Sequence, residues 1–196
     1  MREDMPTSST NVFQNCRESL NFIHINLAFS LDGPGGTGKT FLYKVICSKL
    51  CSNGAIVLCT ASSGIAALLL PGGRTAHSMF KIPIDNLSQV SHCCIPKNST
   101  RVDLMRATKC IIWDEIVPQH HYVVETLDHT LRDIRDCTRP FGGITLLMGR
   151  DFQQTLPIIP KGSREQILDA TITCSYLWND VNVFHLHQNM RLHNNC

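Results

Sequence analysis

Apolar residues along this chain fall into two kinds of run: short unbroken blocks, and longer stretches at helical spacing. Residues 27–31 (LAFSL) form a short block stopped by Asp32-Gly33, the pattern of a buried strand. After a glycine-rich stretch to Gly38, residues Phe41, Leu42, Val45, Ile46 and Leu50 recur at three- and four-residue spacing. That predicts a helix from Thr40, ended by Asn53-Gly54. Residues 55–60 read as a second strand, and residues 64–70 as a short apolar helix closed by Pro71-Gly72-Gly73. Residues 110–113 predict a third strand, 144–148 a fourth and 183–186 a fifth. Between the third and fourth, Val123, Leu127, Leu131 and Ile134 predict a helix over 122–134. Residues 80–100 carry no period and read as a long surface loop. Residues 1–26 are polar and irregular, with a short helix near 17–23. Strands alternating with helices imply βαβ units, hence an α/β fold with a doubly wound, mostly parallel sheet flanked by helices.

Composition narrows this only a little. With 196 residues, 43% of them hydrophobic, the chain has one ordinary core's worth of material. The charged fraction of 17% is below the roughly 25% of typical domains, so part of the surface is expected to be covered by something else. The 18 basic and 16 acidic residues leave +2, which excludes a dedicated polycationic module and leaves a nucleic-acid partner open. No apolar run approaches the ~20 residues needed to cross a bilayer, so no membrane partner is expected. The opening Met1-Arg2-Glu3-Asp4 is not a secretory signal. An intracellular place is expected, nuclear with the mitochondrion as the alternative. Ten scattered cysteines without a Cys-x-x-Cys pair read as reduced thiols, several of them small hydrophobes in apolar runs.

The chemistry lies in two motifs. Gly33-Pro34-Gly35-Gly36-Thr37-Gly38-Lys39-Thr40 satisfies G-x-x-x-x-G-K-[ST] between a predicted strand and a predicted helix. Only glycines let successive backbone N–H groups curl around a triphosphate without Cβ clashes. The following helix adds its N-terminal dipole. Lys39 supplies a point charge at the β- and γ-phosphates of ATP, and the Thr40 hydroxyl a ligand for Mg²⁺. The second motif is Asp114-Glu115 at the end of an apolar strand, where ligand sites gather in open α/β sheets. Asp114 is expected in the magnesium shell, and Glu115 as the general base for water.

Beyond these, several blocks closely resemble one family: residues 32–43 (DGPGGTGKTFLY), 62–78 (SSGIAALLLPGGRTAHS), 111–115 (IIWDE), 141–143, 151–160 (DFQQTLPIIP) and 189–192 (NMRL). The chain is similar, from about residue 27 to 193, to the Pif-one-like (petite integration frequency) superfamily 1 DNA helicases, notably the Helitron-associated forms. The resemblance implies a RecA-like P-loop NTPase fold and a motor that hydrolyses ATP while moving 5′-to-3′ on single-stranded DNA. It implies action at duplex junctions and family roles in repair, recombination and telomere maintenance. By motif position, Thr60, Ser62, Ser63 and Gly64 would meet the DNA backbone, with His77 nearby. Gln154 would sense the γ-phosphate and Arg191 would reach it. Read without the resemblance, Ser62-Ser63-Gly64 is a helix cap. Residues 27–196 would be the first motor domain only, with the second absent from this sequence. The alternative is a nucleotide-binding remnant that does not unwind.

The chain also departs from the family's pattern. Arg150 stands where a glycine is usual and Gln153 where an arginine is, which predicts altered geometry at the γ-phosphate sensor. Ile116-Val117-Pro118 replaces the usual small residue, proline and methionine. Gln14 is the candidate for an adenine-reading glutamine.

Overall fold

A computed structural model describes residues 28–151 and 156–190. Six strands form one sheet: β1 (Ala28–Asp32), β2 (Ile56–Ala61), β3 (Arg74–Thr75), β4 (Thr108–Asp114), β5 (Thr145–Arg150) and β6 (Val181–His185). Their spatial order is β3-β2-β4-β5-β1-β6, and every pairing is parallel. The helices are α1 (Lys39–Ser52), α2 (Gly64–Leu68), α3 (Ala76–Phe80), α4 (Thr100–Ala107), α5 (His121–Arg135) and α6 (Arg164–Asp169). The chain winds from β1 past β5 and β4 to β2 and β3, then returns through β4 and β5 to β6. That reversal is the doubly wound α/β arrangement that the sequence pattern predicts.

Side-chain alternation sorts the core into two layers. On one face Ile111, Trp113, Leu146 and Met148 pack against Val124, Leu127 and Leu131 of α5. On the other, Phe29, Leu31, Ile112 and Leu147 pack against Leu42, Tyr43 and Ile46 of α1. Strands buried on both faces are nearly continuous apolar runs, which is why β1, β4 and β5 are readable without alternation in the sequence. The four buried thiols Cys47, Cys59, Cys93 and Cys110 sit in these layers as small apolar groups.

Residues 80–100 are not the plain surface loop that the pattern predicts. Phe80 ends α3, and Phe80, Ile82 and Cys93 are buried in the α5-side layer. The Cys93 N–H donates to Thr130 Oγ1 of α5 at 2.8 Å, so the segment is stitched to the core without regular structure of its own. Helix α4 and the two-residue edge strand β3 are also missing from the sequence reading. α4 is short and mean-polar, with only Val102 and Met105 buried, so it leaves a weak period.

A fully buried carboxylate closes the α5 side. Asp128 forms an ion pair with Arg132 at 2.8 Å and accepts hydrogen bonds from Tyr176 Oη at 2.6 Å and from the Phe141 N–H at 2.5 Å. These contacts tie α5 to the turn before β5 and to the segment before β6. We predict that Asp128→Ala, which strands these partners, costs about 3 kcal/mol, read as a lower urea midpoint at unchanged slope.

Candidate nucleotide-binding site

The loop of residues 33–40 leaves the C-terminal end of β1 and enters α1. Gly36 and Gly38 have φ of 88° and 89°, in the left-handed region where a side chain is strained. Gly38 is the N-cap of α1, with no side-chain cap and no acidic residue in the first turn. A 14-residue helix therefore presents its free N–H groups and positive end to the loop without an internal anion to satisfy them. A Cβ on Gly33 would lie 2.8 Å from the Leu186 carbonyl oxygen, and one on Gly36 would lie 2.8 Å from Asn189 Oδ1. The Met190 N–H donates to the Gly36 carbonyl at 2.9 Å, so residues 189–190 brace the outside of the loop. Lys39 Nζ donates to the Gly33 carbonyl at 2.5 Å and to that of Pro34 at 3.2 Å.

Strand parity places the acids. Cys110 and Ile112 face α1, so Asp114 points to the same side, toward the loop and Tyr43. Trp113, one residue earlier, points into the opposite layer. Burial raises the Asp114 carboxyl above its ordinary value of 3.8, and the neighbouring Glu115 carboxylate pushes the same way. The Glu115 N–H, which donates to Asp114 Oδ1 at 3.0 Å, the Lys39 ammonium and Tyr43 oppose the shift. Burial and the Asp114 charge push the Tyr43 hydroxyl well above its usual range. Gly149 of β5 shares this side, and a Cβ there would collide with both Asp114 Oδ1 and Tyr43 Oη.

Glu115 has a φ of 54°, in the left-handed region that is uncommon for a residue with a side chain. Ser63 Oγ donates to Glu115 Oε2 at 2.8 Å. The same Oγ accepts the Ala66 N–H at 3.1 Å as the N-cap of α2. The cap reading of this serine is therefore correct, and the hydroxyl has a second task.

Lys39, Thr40, Asp114, Glu115, Gly149 and Met190 line one open cavity of about 460 Å³. Thr40 and Asp114 are hard oxygen donors in that cavity, a set that suits Mg²⁺ held jointly by protein and phosphate.

Other candidates fall differently. Thr60 is fully buried and its hydroxyl donates to the Ile112 carbonyl at 3.0 Å, so its side chain is not available to a DNA strand. Ser62 is half-buried; its N–H donates to the Asp114 carbonyl at 3.1 Å and its Oγ accepts from Trp113 Nε1 at 3.2 Å. Gly64 is exposed at the start of α2. His77 is half-buried on α3 outside the cavity, and burial lowers its pKa. Gln153, Gln154, Arg191 and Gln14 lie outside the described residues. Arg150 is among the residues that border the nucleotide cavity. Its guanidinium lies 4.3 Å from the centre of the Trp178 ring, on the α5 side, with burial pushing its pKa down to about 10 against the pull of Asp32. Asp32 also lies 3.3 Å from His185, so Arg150, Asp32 and His185 form a polar row at the C-terminal ends of β5, β1 and β6. Tyr43, Gly149, Asn189 and Met190 are among the site residues to which the sequence reading assigns no role.

A family model described as PIF1-like helicase matches residues 5–196. The chain belongs to the PIF1-like helicase family. It is 35% identical over 140 residues to the ATP-dependent DNA helicase PIF7 of Trypanosoma brucei brucei, covering 69% of this chain and 14% of that protein. Over 135 residues it is 37% identical to the ATP-dependent DNA helicase PIF1 of Danio rerio, covering 68% and 20%. Among solved structures, the Bacteroides Pif1 helicase in complex with ADP-AlF3 and ssDNA superposes with a TM-score of 0.79 at 26% identity, covering 96% of this chain and 43% of that one. The Candida albicans Pif1 helicase shares the fold, at a TM-score of 0.76 and 23% identity, with 98% and 42% covered. The chain thus spans under half of these solved family members and a fifth or less of these two relatives. No helix among the described residues is long and apolar enough to cross a membrane.

Two outcomes follow from Asp114 and Gly149. A carboxyl raised by burial favours the fold when protonated, and that contribution fades as pH rises from the unfolded value through the folded one. Asp114→Asn is therefore expected to stabilise the nucleotide-free fold at neutral pH, by a margin that shrinks as pH falls through the carboxylate range. Denaturant midpoints against pH check this. Gly149→Ala is expected to cost about 1–3 kcal/mol by overpacking and to displace Asp114, weakening Mg²⁺-dependent nucleotide uptake in calorimetry.

Proposed function

We propose that this chain binds ATP with Mg²⁺ at the loop of residues 33–40 and hydrolyses it, as the first motor domain of a 5′-to-3′ DNA helicase. The observation that carries the reading is the cavity lined jointly by Lys39, Thr40, Asp114 and Glu115, which brings together a cation for phosphate, two oxygen ligands for a hard metal and a carboxylate base. Loop and α1 N–H groups hold the phosphates. Lys39 exchanges the Gly33 and Pro34 carbonyls for β- and γ-phosphate oxygens. Thr40 and Asp114 would hold Mg²⁺, which would supply charge neutralisation at the phosphates. Glu115 accepts the proton of the attacking water. Family membership supports the roles of Gln154 and Arg191 at the γ-phosphate, and of Ser62, Ser63, Gly64 and His77 beside single-stranded DNA and its duplex junctions. In this reading a second motor domain, outside the sequence given, completes the ATP cleft. Nuclear DNA is the proposed setting.

The test is nucleotide binding and ATP turnover by the folded chain, with and without single-stranded DNA. Lys39→Ala is expected to reduce turnover by about 10²-fold or more and to abolish any DNA stimulation. Nucleotide uptake without turnover favours the remnant reading. A folded sample that takes up no nucleotide with divalent cation present overturns both.

A further inference from the structure

Two features at the end of β4 remain unexplained by nucleotide chemistry. The first is that Glu115 does not face its pocket freely: Ser63 Oγ, from the loop after β2, donates to its carboxylate at 2.8 Å. The second is how tightly that loop is fixed. The Thr60 hydroxyl donates to the Ile112 carbonyl, the Ser62 N–H to the Asp114 carbonyl, and Trp113 Nε1 to Ser62 Oγ. The chain leading up to Ser63 is thus pinned to the strand that carries the acids. Glu115 is pinned in turn, its N–H on Asp114 Oδ1 and its backbone left-handed. What stays adjustable between the two residues is side-chain rotation.

A serine hydroxyl has one proton to give. Ser63 Oγ already accepts the Ala66 N–H, and its proton goes to Glu115. A carboxylate oxygen that accepts from Ser63 has a lone pair engaged that a water would otherwise meet. Gly64, next in the chain, is exposed. We propose that Ser63 is a positioning residue that couples strand contact to Glu115: its single proton is shared with the carboxylate when no strand is present and turns to a backbone phosphate oxygen when one arrives. Strand contact then releases Glu115 to its water, while no proton changes owner and no segment of backbone has to move. α2 lies between the two events, since Ser63 caps it and Ala66 and Leu69 border the nucleotide cavity. The proposal rests on the reading of Glu115 as base and of residues 62–64 as a strand contact.

The competition is measurable without turnover. In the nucleotide-free full chain, the affinity for a fluorescein-labelled single-stranded oligonucleotide is read by anisotropy across a double-mutant cycle of Ser63→Ala and Glu115→Ala. Removing Glu115 frees the Ser63 proton, so binding is expected to tighten about fivefold more with Ser63 present than in the Ser63→Ala background; the charge effect of Glu115 alone appears in both arms and cancels. Ser63→Thr is expected to keep the coupling. Ser63→Gly, which loses only a few tenths of a kcal/mol as a cap, repeats the cycle if the alanine variant folds poorly. Additive effects overturn the proposal, and so does the absence of strand binding by the wild-type chain. Nucleotide uptake on the same samples reports separately on the phosphate loop: uptake with additive strand affinities sinks the coupling and leaves the nucleotide reading standing.

Discussion

A carboxylate withdrawn from water persists only where its surroundings offer positive potential, and Asp114 is so placed. One backbone N–H and the field of Lys39 oppose its desolvation, yet burial still dominates. Much of the local design serves that one group. β5 carries a glycine at position 149 because anything larger would strike the carboxylate, and Tyr43 walls its far side. The alternation of β4 sends Trp113 into one layer so that Asp114 can face the other. A buried carboxyl whose desolvation is only partly opposed suits a divalent cation, which is the role proposed for Asp114.

The parts legible in the sequence are those with a strong local cause. The glycine-rich loop reads directly because its φ values admit almost nothing else, and β1, β4 and β5 read as unbroken apolar blocks because both their faces are covered. α1 and α5 show clear periods, and their observed ends lie within two residues of the expected ones. What stays hidden has non-local causes. The segment after Phe80 has no period because its apolar residues fill separate gaps over α5. β3 is two residues long and exists through its pairing with β2. Tyr43 looks like any core aromatic of α1 until β4 and β5 bring Asp114 and Gly149 against it.

Arg150 and Thr60 teach the same lesson about facing. A cation in place of a family glycine suggests interference with phosphate; parity turns its guanidinium over Trp178, while the residue itself still borders the cavity. Thr60 falls in a block associated with DNA, yet parity and pairing point its hydroxyl at a neighbouring strand. Serines 62 and 63, just past the strand end, escape that alternation and keep polar atoms near the surface. Where a strand stops therefore decides which hydroxyls are structural and which are free for chemistry.

The bracing of the phosphate loop by residues 189–190 has a mechanical corollary. Asn189 presses on Gly36 and Met190 binds its carbonyl, while Leu186 covers Gly33 and its N–H donates to Asp32. The chain leaving β6 is thereby tied to the first half of the loop, at Gly33 and Gly36. A displacement of the loop would therefore be passed through these contacts to residues 186–190.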